Sequence, residues 1–274
     1  MRPVITFTTD FGPSAPAVCR AVMLRFCPDA KIFDISHQVP RYSIRDGAGT
    51  LVFALPYMPV GVHVAVVDPG VGTDRLAVAL RTARGDILVG PDNGLLIEAG
   101  EALGGIVEAR SLENRALMLD DISNSFHGRD IFAPMAGHLA SGVPFETVGP
   151  PVPVAQLVRL PEIRPIVRDG VLESVVKGIL IFGNVTFAIV PADLEGAIGP
   201  LIPGRSIALE FPAHAGAPAV EERTVWARTF GDVPLGASLL YSDSEGNVAL
   251  ADNQGDAARR LGLSLDRPVR MRSA

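Results

Sequence analysis

In the first half of this 274-residue chain, short β-branched runs alternate with stretches of helical period: Val4 to Thr8, Val18 to Phe26, Ile32 to Ile35, Ile44 to Leu55, Val62 to Val67. That rhythm restricts the fold to strands laid side by side with helices crossing between them, an α/β unit with a largely parallel sheet. Further strands are expected at Leu76 to Arg81 and Asp86 to Val89, and Ile131 to Leu139 predicts a helix packed through Ile131, Met135 and Leu139. The rhythm then stops. Pro150, Pro151, Pro153, Pro161 and Pro165 favour an extended connector over any helix, with a boundary near Leu160. Beyond it, Leu172 to Val176, Ile179 to Phe182, Val185 to Val190, Ser206 to Glu210 and Ala237 to Tyr241 lie between Gly and Pro turns, the pattern of a smaller all-β domain, sandwich or barrel. The expected domains are therefore 1–160 and 161–274.

Length supports two domains, because roughly 100 to 200 residues make one. The formal charge of −6 and a pI near 5.4 argue against nucleic acid or an anionic membrane as partner, since both require clustered Lys and Arg. Asp10 falls where the apolar core of a secretory signal belongs, and no apolar run approaches the ~20 residues that span a bilayer, so the chain is expected to be cytoplasmic. Mean hydropathy of +0.31 points to surface covered by neighbours in a homo-oligomer. Cys19 and Cys27, on one helix, would stand about 12 Å apart along its axis, beyond disulfide reach, and no metal-ligand cluster accompanies them.

Candidate chemistry gathers at predicted strand ends. Asp10 follows Val4 to Thr8 and precedes Phe11-Gly12, placing a carboxylate at the carboxyl edge of the sheet, where α/β proteins bind ligands; it suits either a ribose diol or an Asx turn. Asp68 ends the next apolar run and is followed by Pro69-Gly70-Val71-Gly72-Thr73, with Arg75 seven residues on. Arg75 is either part of a site or an ion-pair partner of Asp74. The glycines do not form a dinucleotide fingerprint. His127 is framed by small and polar residues, whereas His63 lies inside a strand as a structural group, His138 on a helix, and His37 near the sheet edge. Asp92 or Asn93 is expected to cap a helix. Phe182-Gly183-Asn184 and Ser242 to Gly246 read as β-turns.

In order along the chain, TDFG at Thr9 to Gly12, VVDPGVGT at Val66 to Thr73, GPDNGLL at Gly90 to Leu96, SFHGRDIFAP at Ser125 to Pro134 and FGN at Phe182 to Asn184 resemble the S-adenosylmethionine (SAM) hydroxide adenosyltransferase family, relatives of the fluorinating and chlorinating adenosyl halide synthases. The resemblance covers nearly the whole chain. It implies an α/β domain, a barrel-like domain, and a homotrimer that binds SAM as substrate, without cofactor or metal, between one subunit's first domain and its neighbour's second. By motif it makes Asp68, Arg75 and His127 the catalytic set and Asp10 the ribose-binding acid, with Phe126 and Gly128 on the substrate side and Tyr42 as the aromatic against the nucleoside. Asn184, Phe230, Ser244, Glu245, Asp252, Asn253 and Gln254 fall where the family holds adenine or the methionine portion.

The halide synthases carry an aromatic residue at the histidine position and a serine where this chain has Gly128, which implies water as nucleophile here. Two departures stand out. The family's Asp and Tyr-Val-Gly after TDFG are replaced around Ala15, and the Asp before FGN is replaced by Leu180. That acid meets the substrate's amino group, so its loss removes a charge-assisted hydrogen bond of roughly 1.5 to 3 kcal/mol, one to two powers of ten in affinity. The expected activity is hydrolysis of SAM to adenosine and methionine. The alternatives are a halide-using adenosyl transferase and a non-catalytic SAM- or adenosine-binding protein.

Overall fold

The computed structural model describes residues 2–274, which divide into two compact units, the first ending at Leu160 and the second spanning Pro161–Ala274. The first is built on a six-stranded sheet of β1 (Val4–Thr9), β2 (Lys31–Ser36), β3 (Val62–Val66), β4 (Ala77–Thr82), β5 (Ile87–Pro91) and β6 (Ile106–Ser111), in the order β2-β1-β3-β5-β4-β6. The pairings β1–β2, β1–β3 and β3–β5 are parallel; β4 alone runs the other way, between β5 and β6. The sheet is mixed because the connection from β4 to β5 is a tight turn, too short to carry a crossover helix.

Both faces of this sheet are covered, which is why β1 and β3 are buried at every position, Thr6, Thr8, Thr9 and His63 included. On one face Ile5, Phe7, Val64 and Val66 pack against Cys19 and Met23 of α1 (Ala15–Phe26). On the other, Ala65 and Val67 meet Leu51 of α2 (Ile44–Ala54) and Ile97 of α3 (Ile97–Ala102). Ser43 caps α2 by accepting the Asp46 N–H. The predicted helix at Ile131 to Leu139 forms as a π-helical turn, Gly128–Phe132, running into α4 (Ala133–Ala140), and Ile131, Met135 and Leu139 are buried. Capping of α3 by Asp92 or Asn93 does not occur: Leu96 occupies the N-cap, while Asn93 bonds the Leu95 N–H and the Val67 carbonyl and Asp92 accepts from Val158 N–H. The turn needs those side chains before the helix begins.

His63 is fully buried, held by Thr6 Oγ1 at Nδ1 (2.9 Å) and by Asp86 Oδ1 at Nε2 (2.9 Å). Arg84 grips the same carboxylate and reaches the Leu55 and Pro56 carbonyls. Burial alone would raise the Asp86 pKa, but the hydrogen bonds and charges of His63 and Arg84 hold it well below the ordinary carboxylate value. Cys19 and Cys27 are free and buried, and burial pushes the Cys19 thiol up to about 12, so it stays protonated.

The second unit contains β7 (Ile166–Arg168), β8 (Val171–Ile179), β9 (Val185–Phe187), β10 (Ser206–Phe211), β11 (Val220–Trp226), β12 (Ser238–Ser242), β13 (Val248–Asp252) and β14 (Pro268–Ser273). The order β14-β10-β11-β12-β13-β9-β8 closes through β14–β8 into a seven-stranded barrel, with β7 lying on the free part of β8. Closure removes the sheet edges that short strands would otherwise expose. Leu172, Val185, Phe187, Leu209, Trp226, Leu240, Leu250 and Met271 share its core. Three expectations change here. Ile179 to Phe182 is no strand but the end of β8 and a turn; β11 and β14 arise from segments whose charged residues mask the alternation, and β13 from a short run, VALAD, buried at every position; and two short helices, α5 (Pro191–Ile198) and α6 (Ala257–Leu261), interrupt the all-β unit. Among the described residues, no helix is long and apolar enough to cross a membrane.

Candidate active site

Thr9 ends β1, and the chain turns at once into Asp10-Phe11-Gly12, leaving the Asp10 carboxylate beyond the sheet's carboxyl edge. His37, just after β2, holds this turn twice: its Nδ1 lies 2.9 Å from Thr9 Oγ1 and its carbonyl accepts the Gly12 N–H at 3.0 Å. His37 Nε2 is in turn 3.0 Å from Asp34 Oδ1. Asp10 Oδ2 accepts the backbone N–H of Tyr42 at 3.0 Å, and Tyr42 adopts φ +65°, a left-handed conformation uncommon for an aromatic residue. The carboxylate thus pins a strained backbone whose ring stays exposed.

Asp68 lies two residues beyond β3 on the parallel neighbouring strand. The turn after it folds back because Gly72, at φ +78°, sits where a Cβ would come within 2.5 Å of the Asn124 carbonyl oxygen. That return brings Arg75 alongside Asp68: Nε lies 3.1 and 2.9 Å from the two carboxylate oxygens and one terminal nitrogen 2.6 Å from Oδ2. Asp68, not Asp74, is therefore its partner. The same terminal nitrogen donates to His127 Nδ1 at 2.9 Å, and the guanidinium lies over the Phe132 ring at 5.3 Å.

His127 stands at the start of the π-helical turn, whose extra residue places it and Phe126 over the sheet edge. A guanidinium has only donors, so the neutral imidazole accepts at Nδ1 and carries its proton on Nε2. Burial, then the Arg75 charge, lowers the His127 pKa below its ordinary 6.5, against smaller opposing effects of Asp68 and Asp130. Asp130 is itself fully buried, bound by Arg129 and the Ser123 N–H, and fixes the segment that leads into the turn.

Asp10, Tyr42, Asp68, Phe126, His127 and Gly128 line one cavity of about 280 Å³, and Arg75 stands behind its wall. Phe11, Arg41, Val66, Val71 and Ser125 also line it without having been foreseen. Phe11 and Ser125 belong to the TDFG and SFHGRD segments, so adjacency was the available signal. Phe11 meets Phe126 edge-on, at 5.6 Å between ring centres.

In the second unit, Asn184 Nδ2 bonds the Tyr241 hydroxyl at 3.3 Å, and Tyr241 packs against Phe230 at 5.1 Å. Tyr241 is an unforeseen member; its signal was the two-residue alternation along β12. Gly183 is required by its φ of +79° and by Asp256, which occupies the space of a Cβ. Ser244 and Glu245 lie on the exposed turn between β12 and β13. Asp252 is committed to a bidentate pair with Arg260, Asn253 bonds the Val233 carbonyl, and Gln254 takes φ +57° in the turn that follows. These three belong first to the barrel's own structure.

An α/β unit carrying an acid, a guanidinium and an imidazole in contact at its sheet edge, followed by a closed β-barrel, defines a two-unit protein with a small-molecule site at strand ends. The chain belongs to the SAM hydroxide adenosyltransferase family, whose N-terminal domain matches residues 5–149 and whose C-terminal domain matches residues 181–270. It is 46% identical to the (R)-S-adenosyl-L-methionine hydrolase of Salinispora tropica over 96% of this chain and 95% of that protein. The Thermus thermophilus (R)-S-adenosyl-L-methionine hydrolase is 37% identical over 99% of this chain and 100% of its own. Among solved structures, an uncharacterized conserved protein from Thermotoga maritima superposes with a TM-score of 0.85 at 33% identity, covering 97% of this chain and 99% of that one.

Proposed function

We propose that this protein hydrolyses S-adenosyl-L-methionine, as the (R)-sulfonium epimer named for its relatives, to adenosine and L-methionine. The carrying observation is the contiguous Asp68, Arg75, His127 set opening on the cavity that Asp10 shares. Water attacks C5′, the O–C5′ bond forms as the C5′–S bond breaks, and methionine leaves as an uncharged thioether, so the leaving side needs no acid. The reaction uses no cofactor and no metal.

Free hydroxide is not the nucleophile. A water pKa of 15.7 against about 6.5 for imidazole leaves a gap of roughly nine units, about 12.5 kcal/mol. Attack by neutral water instead yields an oxonium that gives up its proton readily, and Asp68 takes that proton as the bond forms. His127 is not the base in this scheme: its Nδ1 is occupied by Arg75 and its Nε2 already carries hydrogen. It holds Arg75, and Arg75 holds the Asp68 carboxylate in place to receive that proton. Asp10 takes the ribose hydroxyls, with Tyr42 beside the nucleoside.

The proposal extends to assembly. Ile181 and Phe182 are 92% and 76% exposed on the turn that leads to Asn184, an apolar surface of the kind covered by a partner. A homotrimer is the proposed state, through which Asn184, Phe230, Ser244, Glu245 and the Asp252 to Gln254 segment reach the adenine and methionine ends of substrate; sedimentation velocity tests it.

Incubation with each sulfonium epimer of SAM in ¹⁸O water, followed by mass spectrometry, tests the chemistry. The expected products are methionine and adenosine labelled at the 5′ oxygen. Unlabelled adenosine, a 5′-halo nucleoside on adding chloride or fluoride, or intact substrate held without turnover would each overturn the assignment.

A further inference from the structure

The order β3-β5-β4 in the first sheet places the end of β5 between the two strand ends that carry the proposed catalytic pair, since Asp68 follows β3 and Arg75 precedes β4. Registered pairing stops short of both, at Val64–Val89 on one side and at Ala77–Pro91 on the other. Beyond it the turn Pro91-Asp92-Asn93-Gly94 continues the contacts. The Asp92 N–H donates to the Leu76 carbonyl at 2.9 Å, one residue from Arg75, and Asn93 Nδ2 donates to the Val67 carbonyl at 2.9 Å, one residue from Asp68.

The Val67 carbonyl lies in the peptide plane that also holds the Asp68 nitrogen, so a bond to that oxygen fixes the plane from which the carboxylate side chain departs. Val67 is fully buried, and water cannot take the place of the donor. The orientation of the Asn93 amide is set by its partners: Oδ1 accepts the Leu95 N–H at 3.2 Å, and a carbonyl can be met only by Nδ2. The turn is anchored on its far side as well. Asp92 Oδ1 accepts the Val158 N–H at 2.9 Å, and Gly94, at φ +95°, lies where a Cβ would come within 2.8 Å of Leu160.

We propose that Asn93 is a positioning residue for the Asp68–Arg75 pair. It does not line the cavity; it acts through the Val67–Asp68 peptide, holding the carboxylate where Arg75 Nε meets its two oxygens at 3.1 and 2.9 Å. Without that donor the buried Val67 carbonyl is left unpaired, and the peptide turns toward another partner and carries Asp68 with it. A misplacement of about 1 Å at a reacting group costs roughly a hundredfold in rate. The inference rests on the proposed hydrolysis for its rate measurement alone.

Asn93→Ser in the full-length protein keeps an oxygen for the Leu95 N–H, because a serine hydroxyl forms the same kind of turn, but its shorter side chain does not reach Val67. The expected result is a kcat for adenosine release lowered about tenfold to a hundredfold, with KM for SAM within about twofold of wild type. Asn114→Ser is the control. Asn114 makes the same two bonds in the same unit and outside the cavity lining, Nδ2 to the Thr147 carbonyl at 2.8 Å and Oδ1 from the Ala116 N–H at 3.1 Å, and its variant should keep the wild-type kcat. A second measurement needs no turnover: the Arg75 Nε–H signal in a ¹⁵N spectrum of ligand-free protein, identified by its loss in Arg75→Lys, should shift in Asn93→Ser and stay in place in Asn114→Ser. Asn93→Asp, the same shape with an acceptor in place of the donor, gives the same readings if the serine variant does not fold. An unchanged kcat, a loss confined to KM, an equal loss in Asn114→Ser, or an unmoved Arg75 signal would overturn the proposal. Wild-type protein that releases no adenosine would count against the hydrolysis, while a shifted Arg75 signal would still support the role of Asn93.

Discussion

One terminal nitrogen of Arg75 donates to His127 Nδ1 at 2.9 Å; this contact sets the tautomer of the imidazole, and the Arg75 charge adds to burial in lowering its pKa. A protonated His127 would turn an N–H toward the guanidinium. Neutral His127 is therefore the form that keeps the acid, guanidinium and imidazole connected.

The pH dependence of turnover follows. His127 has its pKa lowered in the folded protein, so the acidic limb of kcat/KM should lie below 6.5, the ordinary imidazole value. The sign for stability is the same. Between the folded and unfolded pKa values the unfolded chain binds more protons, so His127 makes the protein less stable as pH falls through 6.5 toward its folded pKa. His127→Ala frees the Arg75 nitrogen it holds, so adenosine release should slow and that limb should disappear. A wild-type pH–rate profile from the variant would sink the role given to His127.

Asp68→Asn removes the charge that balances a nine-tenths-buried guanidinium. Loss of one partner from such a pair costs about 3 to 5 kcal/mol, and the proton acceptor is lost as well. Both the thermal midpoint and the rate should fall. Arg75→Lys keeps the charge but loses the planar fork that engages Asp68 and His127 together, so full activity in that variant would show that Arg75 acts as a point charge.

His37→Ala should loosen the turn that carries Asp10, because Thr9 loses its side-chain partner. Removing a partly buried hydrogen bond of this kind costs about 1 to 3 kcal/mol, and the loss should appear mainly as a raised KM. A fall in kcat with KM unchanged would place His37 in the chemistry instead.

Gly128→Ser puts a Cβ within 2.8 Å of two carbons of the Phe11 ring, which lines the same cavity. The ring must move, and the variant should lose hydrolysis without gaining a halide reaction. Chromatography for 5′-halo nucleosides checks this; a halo product from the single substitution would show that Phe11 does not control the space.

Asp86→Asn should be destabilising by about 3 to 5 kcal/mol, since His63 and Arg84 both lose a charged partner in the core. Asp86 has its folded pKa depressed, so its contribution is present above the ordinary carboxylate value of 3.8 and is lost as pH falls below it. Wild type should therefore lose stability below that pH more steeply than the variant in a denaturant series.

The residues determined by themselves that the first half is α/β, because short β-branched runs alternate with stretches of helical period, and β1 and β3 are two of those runs, buried on both faces. They also placed Asp10, Asp68 and His127 at the ends of elements. The barrel was less legible. Closure pairs β14 with β8, about a hundred residues apart, and no local pattern reports such a pairing. The reversal of β4 was hidden for the same reason. Only the tertiary structure decided that Arg75 turns to Asp68, that His127 meets Arg75 through Nδ1, and that Thr224 is buried without a partner. Periodicity specifies which face a side chain takes; its partner is fixed by non-local strand order and turn geometry.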